Sequence, residues 1–179
     1  ISSEVLPEIR EYERTSTTVI NAYVQPTVDA YFRTMESDIK ELGIDIPIMV
    51  MQSNGGMLSS EAARKTPIHI IESGPAAGVV GAHQLASRMG IDDVITFDMG
   101  GTTAKASMIE DGEITRSPEY EIGSEISIGT RLMTGSGYAL RVPSIDIAEV
   151  GAGGGSIAWT DAAGALKVGP HSAGAAPGP

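Results

Sequence analysis

The sequence predicts an α/β domain with a mixed sheet, helices and antiparallel hairpins. Three observations support this fold class: an apolar stripe at helical spacing in the first part of the chain, several short apolar runs of strand length, and turn signals in the second half. Helices and strands alternate first and hairpins come later, and this order favours a mixed sheet covered by helices.

The first clear element is a helix. Its apolar residues recur at spacings of four, three, four and three: Val28, Phe32, Met35, Ile39 and Leu42. Pro26 lies either near the first turn of this helix or inside a longer, kinked helix that begins near Thr17. Gly43 is expected to end it, since glycine commonly follows the last helical residue.

Short strands and helices alternate in the rest of the first half. IPIMVMQ (46–52) is predicted as a buried strand, and PIHII (67–71) as a second strand. Between them SSEAARK (59–65) forms a short helix, with a serine as its cap. SGPAAGVVGAHQLASRMG (73–90) is a longer helix with small residues in its first half, and DDVITFD (92–98) is a third strand.

Hairpins are predicted in the second half. A turn at residues 99–102 leads into a strand at 104–109, and Asp111-Gly112 is a strong hairpin signal. One or two further strands are expected in residues 113–123, whereas residues 124–138 have no decisive period and are interpreted as a flexible insertion. Residues 142–169 follow the order strand, glycine loop, strand, turn, strand.

Composition argues against several classes of protein. The 179 residues include no cysteine, which excludes disulfides, thiolate catalysis and Cys-ligated metals. The formal net charge of −11 argues against a nucleic-acid partner, because phosphate contacts need cations. No run approaches the ~20 apolar residues of a membrane span, and no secretory leader is seen. A cytoplasmic protein without a membrane partner is therefore expected.

The segment DMGGTT carries the clearest chemical signal. Gly100 and Gly101 lack a Cβ and let the backbone come very near a ligand. Their N–H groups, with those of Thr102 and Thr103, can converge on phosphate oxygens, and the two hydroxyls add donors. Asp98 ends the preceding strand, where it can hold a metal through water or position an attacking water. An ordinary tight turn is the alternative, since Gly-Gly is common in hairpins.

Two other glycine segments are candidate ligand loops. QSNGG ends a predicted strand, where open α/β sheets place ligand loops, and this makes Asn54, Gly55 and Gly56 candidates. GAGGGS lacks the spacing of a dinucleotide fingerprint. Its Gly153 and Gly154 belong either to a second ligand-lining loop or to a structural turn.

Small residues open the helix that begins with SGPAAGVVGA. Ser73 and Gly74 start it, and glycines such as Gly78 would let it approach another backbone closely. Ordinary packing of a helix on a sheet is the alternative. The acid–Gly-Gly-Thr hairpin just after such a helix resembles the layout of the actin–hexokinase–chaperone superfamily of phosphotransferases.

A closer resemblance is to the hydantoinase A/5-oxoprolinase family. Six segments occur in the same order in that family and cover essentially the whole chain: NAYVQP, MQSNGGM, SGPAAGVVGA, TFDMGGTT, VGAGGGSIAW and VGPHSAGAAPGP. The resemblance implies a ribonuclease H-like, actin-like ATPase lobe. In such a lobe DMGGTT is the second phosphate loop and SGPAAGVVGA is the first helix that connects two lobes.

The resemblance also implies ligands and a reaction. ATP with Mg²⁺ is the expected cofactor, with Asp98 as the catalytic group and a possible metal ligand through water. The candidates for substrate or inter-lobe contacts are Asn54, Gly55, Gly56, Ser73, Gly74, Gly153 and Gly154. Family members couple ATP cleavage to hydrolysis of a cyclic amide such as 5-oxoproline or N-methylhydantoin. Related subunits act in ATP-dependent carboxylation of acetone and acetophenone.

One residue departs from the family pattern. The family often continues GGT with a small residue, a threonine and an aspartate, whereas Thr103, Ala104 and Lys105 stand here. If that aspartate helps to hold the metal, its loss puts metal binding at Lys105 in doubt. Lys105 could instead contact phosphate as a point charge, or be a surface lysine.

Together these features predict part of an ATP-dependent amidohydrolase that opens cyclic amides. A ketone carboxylase subunit and a non-catalytic nucleotide-binding module are the alternatives. A small-molecule substrate and a second subunit or domain of the same enzyme are the expected partners. The start at Ile1 and the loop-like end predict an internal segment, with a helical α/β part at 1–92 and hairpins at 93–179. This segment alone is expected to be inactive.

Overall fold

The computed structural model describes residues 1–122, 138–174, 176 and 178, which form helices and small antiparallel sheets. The helices are α1 (Ser2–Val5), α2 (Glu11–Glu41), α3 (Ser60–Lys65), a 3-10 helix (Pro67–Ile70) and α4 (Ser73–Met89). The strands are β1 (Met49–Met51), β2 (Met57–Ser59), β3 (Val94–Met99), β4 (Ala104–Glu110), β5 (Glu113–Ile114), β6 (Arg116–Ser117), β7 (Tyr120–Ile122), β8 (Tyr138–Leu140), β9 (Ser144–Ile145), β10 (Ala148–Val150), β11 (Ser156–Thr160) and β12 (Leu166–Ser172). No helix in the described ranges is long and apolar enough to cross a bilayer.

The strands of the central sheet lie in the order β10-β4-β3, with β5 also paired to β4. The predicted hairpin is confirmed, because β3 and β4 pair antiparallel and are joined by the Gly100–Gly101 turn. Positive φ angles at Asp111 and Gly112 close the next hairpin as that sequence signal predicted. The later order of strand, glycine loop, strand, turn and strand is also confirmed.

The expectation of a mixed sheet is wrong for the described part of the chain. Every strand pair there is antiparallel. Parallel neighbours need a crossover connection, but α3, the 3-10 helix and α4 connect β2 to β3, which belong to different sheets. The predicted insertion at 124–138 lies outside the described residues except for Tyr138, which begins β8.

The first predicted helix is the longer of the two alternatives, because α2 begins at Glu11 and contains Pro26 in its interior. Phe32 is buried as the apolar stripe predicted, but Leu42 is 77% exposed. Polar residues do much of the anchoring. Asn21 donates to the Lys65 carbonyl at 3.3 Å and accepts from the Ile68 amide at 3.2 Å.

Two predicted strands differ from the structure. PIHII forms the 3-10 helix, because Pro67 stands at its start without an N–H. The carbonyls of His69 and Ile71 accept hydrogen bonds from the side chain of Ser53, so this backbone is satisfied without a strand partner. IPIMVMQ contains only the three-residue strand β1, which pairs with β2 alone and leaves Met49 half exposed.

The core beneath the central sheet is formed by one face of α4 and several isoleucines. Ala76 and Val79 of the helix pack with these buried residues: Ile109, Ile114, Ile145 and Ile147. Gly90 ends α4 in the left-handed conformation, at the end of the range predicted for this helix. The Ser59 side chain caps α3 by accepting from the Ala62 amide, which confirms that cap.

Candidate functional site

Three charged residues lie side by side across the central sheet. Lys105 on β4 is directly opposite Asp98 on β3 and Glu149 on β10. Directly opposite residues on antiparallel strands share a face, so Asp98, Lys105 and Glu149 form a charged row. The row lies on the face that α4 covers, because Val94, on the same face of β3, packs against the core that contains Ala76.

The Lys105 ammonium lies at the centre of this charged row. Its Nζ is 2.9 Å from Glu149 Oε1, 3.1 Å from Thr103 Oγ1 and 3.3 Å from Glu72 Oε2. A lysine has three N–H donors, so each one has an acceptor here. Burial acts to lower the pKa of Lys105, but the hydrogen bond to Glu149 and the charge of Glu72 outweigh it and raise that pKa.

The interpretation of Lys105 as a surface lysine is therefore wrong, because its side chain is only 16% exposed. The phosphate contact of Lys105 stays a prediction. Such a contact would require the ammonium to exchange one of its three present acceptors for a phosphate oxygen.

The Gly100–Thr103 turn closes the β3–β4 hairpin. The Gly100 amide donates to the Thr103 carbonyl at 3.0 Å. Among residues 1–122 and 138–174, no acceptor receives a hydrogen bond from the amides of Gly101, Thr102 or Thr103. The turn therefore presents consecutive N–H groups at the end of the charged row, which is what an anion-binding backbone requires.

Asp98 lies two residues before this turn, and it is exposed. Mg²⁺ in nucleotide sites is held by one or two carboxylates together with waters and phosphate oxygens. An exposed carboxylate beside free amides fits that mode. The described residues contain no group of three acidic or histidine side chains close enough to form an all-protein metal site.

A cavity of about 210 Å³ lies between α4 and the charged row. Asp98, Lys105, Thr96 and Ser107 contribute the polar part of its wall, and Gly78 lies on the helix side. A larger groove of about 610 Å³ lies elsewhere, beside the end of α2. The smaller cavity is the better candidate for ligand binding, because Asp98 and Lys105 of the charged row form part of its wall.

The glycine loop (residues 151–155) lies against the back of the turn. The Gly154 amide donates to the Gly100 carbonyl at 2.9 Å, and the Gly155 amide donates to the Gly101 carbonyl at 2.8 Å. The prediction left Gly153 and Gly154 open between a ligand loop and a structural turn. Their backbone contacts in this structure are with the Gly100–Thr103 turn.

The QSNGG segment forms the turn between β1 and β2. Asn54 Oδ1 accepts from the Gly56 amide at 2.8 Å, so the asparagine supports its own turn. Gly55 has a φ of 85°, and a Cβ there would lie 2.9 Å from Val80 Cγ2. Turn geometry and packing therefore account for the presence of Asn54 and Gly55 in this turn. A ligand role for Asn54, Gly55 and Gly56 stays a prediction.

The start of α4 has more space around it than its small residues suggested. A Cβ at Gly74 or Gly78 would meet no atom within 4 Å in the described structure. Gly78 therefore has no close neighbour on the side of its missing Cβ among the described residues, and an approach to another lobe stays a prediction. Ser73 is half-buried at the first position of α4, and inter-lobe contacts of Ser73 and Gly74 stay a prediction.

Sequence reasoning missed both carboxylates that bind Lys105. Glu72 precedes α4 and has a φ of 60°, which is uncommon for a residue with a side chain. Glu149 is opposite Lys105 only because of the β10–β4 register, which the sequence does not reveal. One signal was available: Lys105 falls within a predicted strand, and a lysine that becomes buried there needs an acidic partner.

One family model and several known proteins match this sequence over most of its length. The hydantoinase/oxoprolinase family model matches residues 14–179. An uncharacterized protein of Methanocaldococcus jannaschii is 51% identical over 178 residues, which are 99% of this chain and 26% of that protein. The caprolactamase subunit alpha of Pseudomonas jessenii is 41% identical over 176 residues, 98% of this chain and 23% of that subunit.

Solved structures agree with these relatives. A nucleotide-free structure of acetone carboxylase, from work on ATP-dependent acetone carboxylation, matches 97% of this chain and 22% of its own with a TM-score of 0.74 and 29% identity. A crystal structure of the ATP-dependent caprolactamase from Pseudomonas jessenii matches 99% of this chain and 24% of its own, with a TM-score of 0.70 and 39% identity.

The chain spans about a quarter of the length of the curated relatives it matches first. Within that span the match is nearly continuous, and it includes both α2 and the glycine segments around the charged row. With the family model covering residues 14–179, the chain belongs to the hydantoinase/oxoprolinase family.

Proposed function

We propose that the protein supplies a phosphate-binding turn to an ATP-dependent enzyme, and that its fold is part of one lobe of an actin-like ATPase. The observation that carries this proposal is the Gly100–Thr103 turn. Its amides at Gly101, Thr102 and Thr103 have no acceptor among the described residues, and the exposed Asp98 lies beside them. Consecutive free amides of this kind bind phosphate oxygens.

Each residue of the site has a distinct task under this proposal. The amides of the turn and the Thr102 hydroxyl hold phosphate oxygens, and Asp98 orients a water or holds Mg²⁺ through water. Lys105 offsets the carboxylates of Glu72 and Glu149 beside the turn, which limits their repulsion of a polyanion. When bound, ATP supplies the phosphoryl group that activates a carbonyl oxygen of the substrate.

We place the substrate among cyclic amides. Support comes from the greater identity to the caprolactamase sequence than to the acetone carboxylase structure. A ketone is the second candidate, and the higher TM-score of the acetone carboxylase structure favours it. A relative named as subunit alpha also supports a second subunit as partner.

Replacement of the Asp98 carboxylate tests the site. Asp98→Asn, made in the longest natural polypeptide that contains these residues, should lower ATP turnover by ~100-fold or more, because a group that orients water or metal typically contributes that much. Asp45→Asn is the matched control, since Asp45 lies in the distant groove beside α2. Near-normal turnover in Asp98→Asn would remove Asp98 from the mechanism.

Substrate dependence tests the reaction. We expect ADP formation to be stimulated by a lactam, a hydantoin or 5-oxoproline. Stimulation by acetone together with bicarbonate, and by no cyclic amide, would instead assign a carboxylase. ATP binding without stimulation by any member of the panel would favour a non-catalytic nucleotide-binding module.

A further inference from the structure

Three amides of the glycine loop already donate hydrogen bonds within the protein. Gly154 and Gly155 donate to the carbonyls of Gly100 and Gly101 at 2.9 and 2.8 Å. The Gly153 amide donates to Ser156 Oγ at 2.8 Å. These three N–H groups are therefore already engaged, and the loop has none of them left to bind a phosphate itself.

The contact between loop and turn leaves no space for a side chain at two positions. A Cβ on Gly153 would lie 2.6 Å from the Gly100 carbonyl oxygen and 2.8 Å from the Thr103 amide nitrogen. A Cβ on Gly155 would lie 2.9 Å from the Gly101 carbonyl oxygen. All of these are backbone atoms, which cannot rotate away as a side chain can.

The neighbouring glycines are not constrained in this way. A Cβ on Gly151 would meet no atom within 4 Å, and a Cβ on Gly154 would lie 3.7 Å from the Gly100 carbonyl oxygen, an ordinary contact. Neither glycine has a positive φ. Close packing, and not a general need for backbone freedom, therefore distinguishes Gly153 and Gly155.

The loop is also held from behind. The Ala173 amide donates to the Gly155 carbonyl at 2.7 Å, and a Cβ on Gly155 would lie 2.8 Å from the Gly174 carbonyl oxygen. The loop also follows β10 directly, and Val150 of β10 pairs with Ala104 at the start of β4. The turn is thus supported by backbone that is anchored on two sides.

We infer that Gly153 and Gly155 are positioning residues that fix the Gly100–Thr103 turn in its phosphate-binding shape. The hydrogen bonds from the loop hold the carbonyls of Gly100 and Gly101, and the N–H of a trans peptide points opposite to its C=O, so the amides of Gly101 and Thr102 are directed away from the loop. The inference rests on the proposed function, because it assumes that the turn binds the phosphates of ATP.

A graded series of alanine variants tests the inference in the longest natural polypeptide that contains these residues. Gly151→Ala should keep the dissociation constant for Mg-ATP within about twofold, because its Cβ has space. Gly153→Ala must displace the turn and should weaken Mg-ATP binding about tenfold or more. Displacements of about 1 Å in positioning groups can cost ~100-fold in turnover.

Melting temperature separates positioning from general loss of structure. The positioning role predicts that Gly153→Ala loses Mg-ATP affinity while its melting temperature stays within a few degrees of the parent. If Gly153→Ala does not fold, Ser156→Ala removes only the acceptor of the Gly153 amide. We then expect a severalfold weaker Mg-ATP affinity in Ser156→Ala.

The outcomes distinguish this inference from the proposed function. A parent protein that does not bind Mg-ATP at all would overturn the proposed function. A parent that binds, together with equal affinities in Gly151→Ala, Gly153→Ala and Ser156→Ala, would overturn the positioning role alone. Equal losses in Gly151→Ala and Gly153→Ala would also overturn it, because only Gly153 is closely packed.

Discussion

Removal of the Lys105 ammonium is expected to destabilise the protein well beyond the loss of an ordinary ion pair. Lys105→Met keeps most of the side-chain volume but removes the donors to Glu149, Glu72 and Thr103. Breaking a fully buried ion pair costs roughly 3–5 kcal/mol, and an exposed one about 0–1 kcal/mol. Lys105 is 16% exposed, and Glu149 and Glu72 are 23% and 27% exposed, so solvent partly screens them. An intermediate loss of about 2 kcal/mol follows.

Urea unfolding measures this loss, and the fluorescence of Trp159, the single tryptophan, reports it. Lys167→Met is the matched control, because Lys167 is 52% exposed and 3.8 Å from Asp161. It should change the free energy of unfolding by less than about 0.5 kcal/mol. Equal losses in Lys105→Met and Lys167→Met would refute the reasoning from burial.

The pH dependence gives a second check on Lys105. The pKa of Lys105 is raised in the folded state, so the ammonium stabilises the fold at every pH below 10.5, the ordinary pKa of a lysine. This contribution disappears as the pH rises through the folded-state pKa. The difference between parent and Lys105→Met should therefore be constant from about pH 6 to 9 and shrink above 10.5. A difference that shrinks already near pH 8 would contradict the raised pKa.

Three further predictions concern the helices and the nucleotide. Asn21→Ala should cost about 1–3 kcal/mol in urea unfolding, because it leaves the buried Ile68 amide without its acceptor; an unchanged midpoint would contradict this. Gly81→Ala should instead stabilise the protein by roughly 0.5–1 kcal/mol, since a Cβ there meets nothing within 4 Å and alanine favours helix. A lower urea midpoint would reveal a contact outside the described residues. Calorimetry on residues 1–179 alone should give a millimolar or weaker Mg-ATP affinity. A few hydrogen bonds of ~0.5–1.5 kcal/mol each scarcely exceed the ~4 kcal/mol or more of free energy lost on association. A micromolar dissociation constant would mean that the nucleotide site is complete in these residues.

Local signals in the sequence predicted local structure well. Asp111-Gly112 marked its turn because both residues have a positive φ, which few residue types adopt readily. Gly100-Gly101 marked the reversal between β3 and β4. The helix predicted over residues 73–90 corresponds to α4 (Ser73–Met89).

Long-range relations could not be predicted in the same way. PIHII has the composition of a strand, but Asn21 and Ser53, distant in sequence, satisfy its backbone as a 3-10 helix. Likewise the pairing of Lys105 with Glu149 depends on strand register. The close packing of Gly153 depends on where two loops meet in space.

The contact between Glu72 and Lys105 has a mechanical consequence for α4. This ion pair links Glu72, the residue before α4, to β4, the strand that follows the Gly100–Thr103 turn. The 17 residues of α4 form a stiff rod about 26 Å long. A tilt of the rod that preserved this contact would pivot at Glu72. A rotation of about 5° would move the far end, near Gly90, by about 2 Å and leave the turn almost stationary, so that the helix acts as a lever with its fulcrum beside the proposed phosphate site.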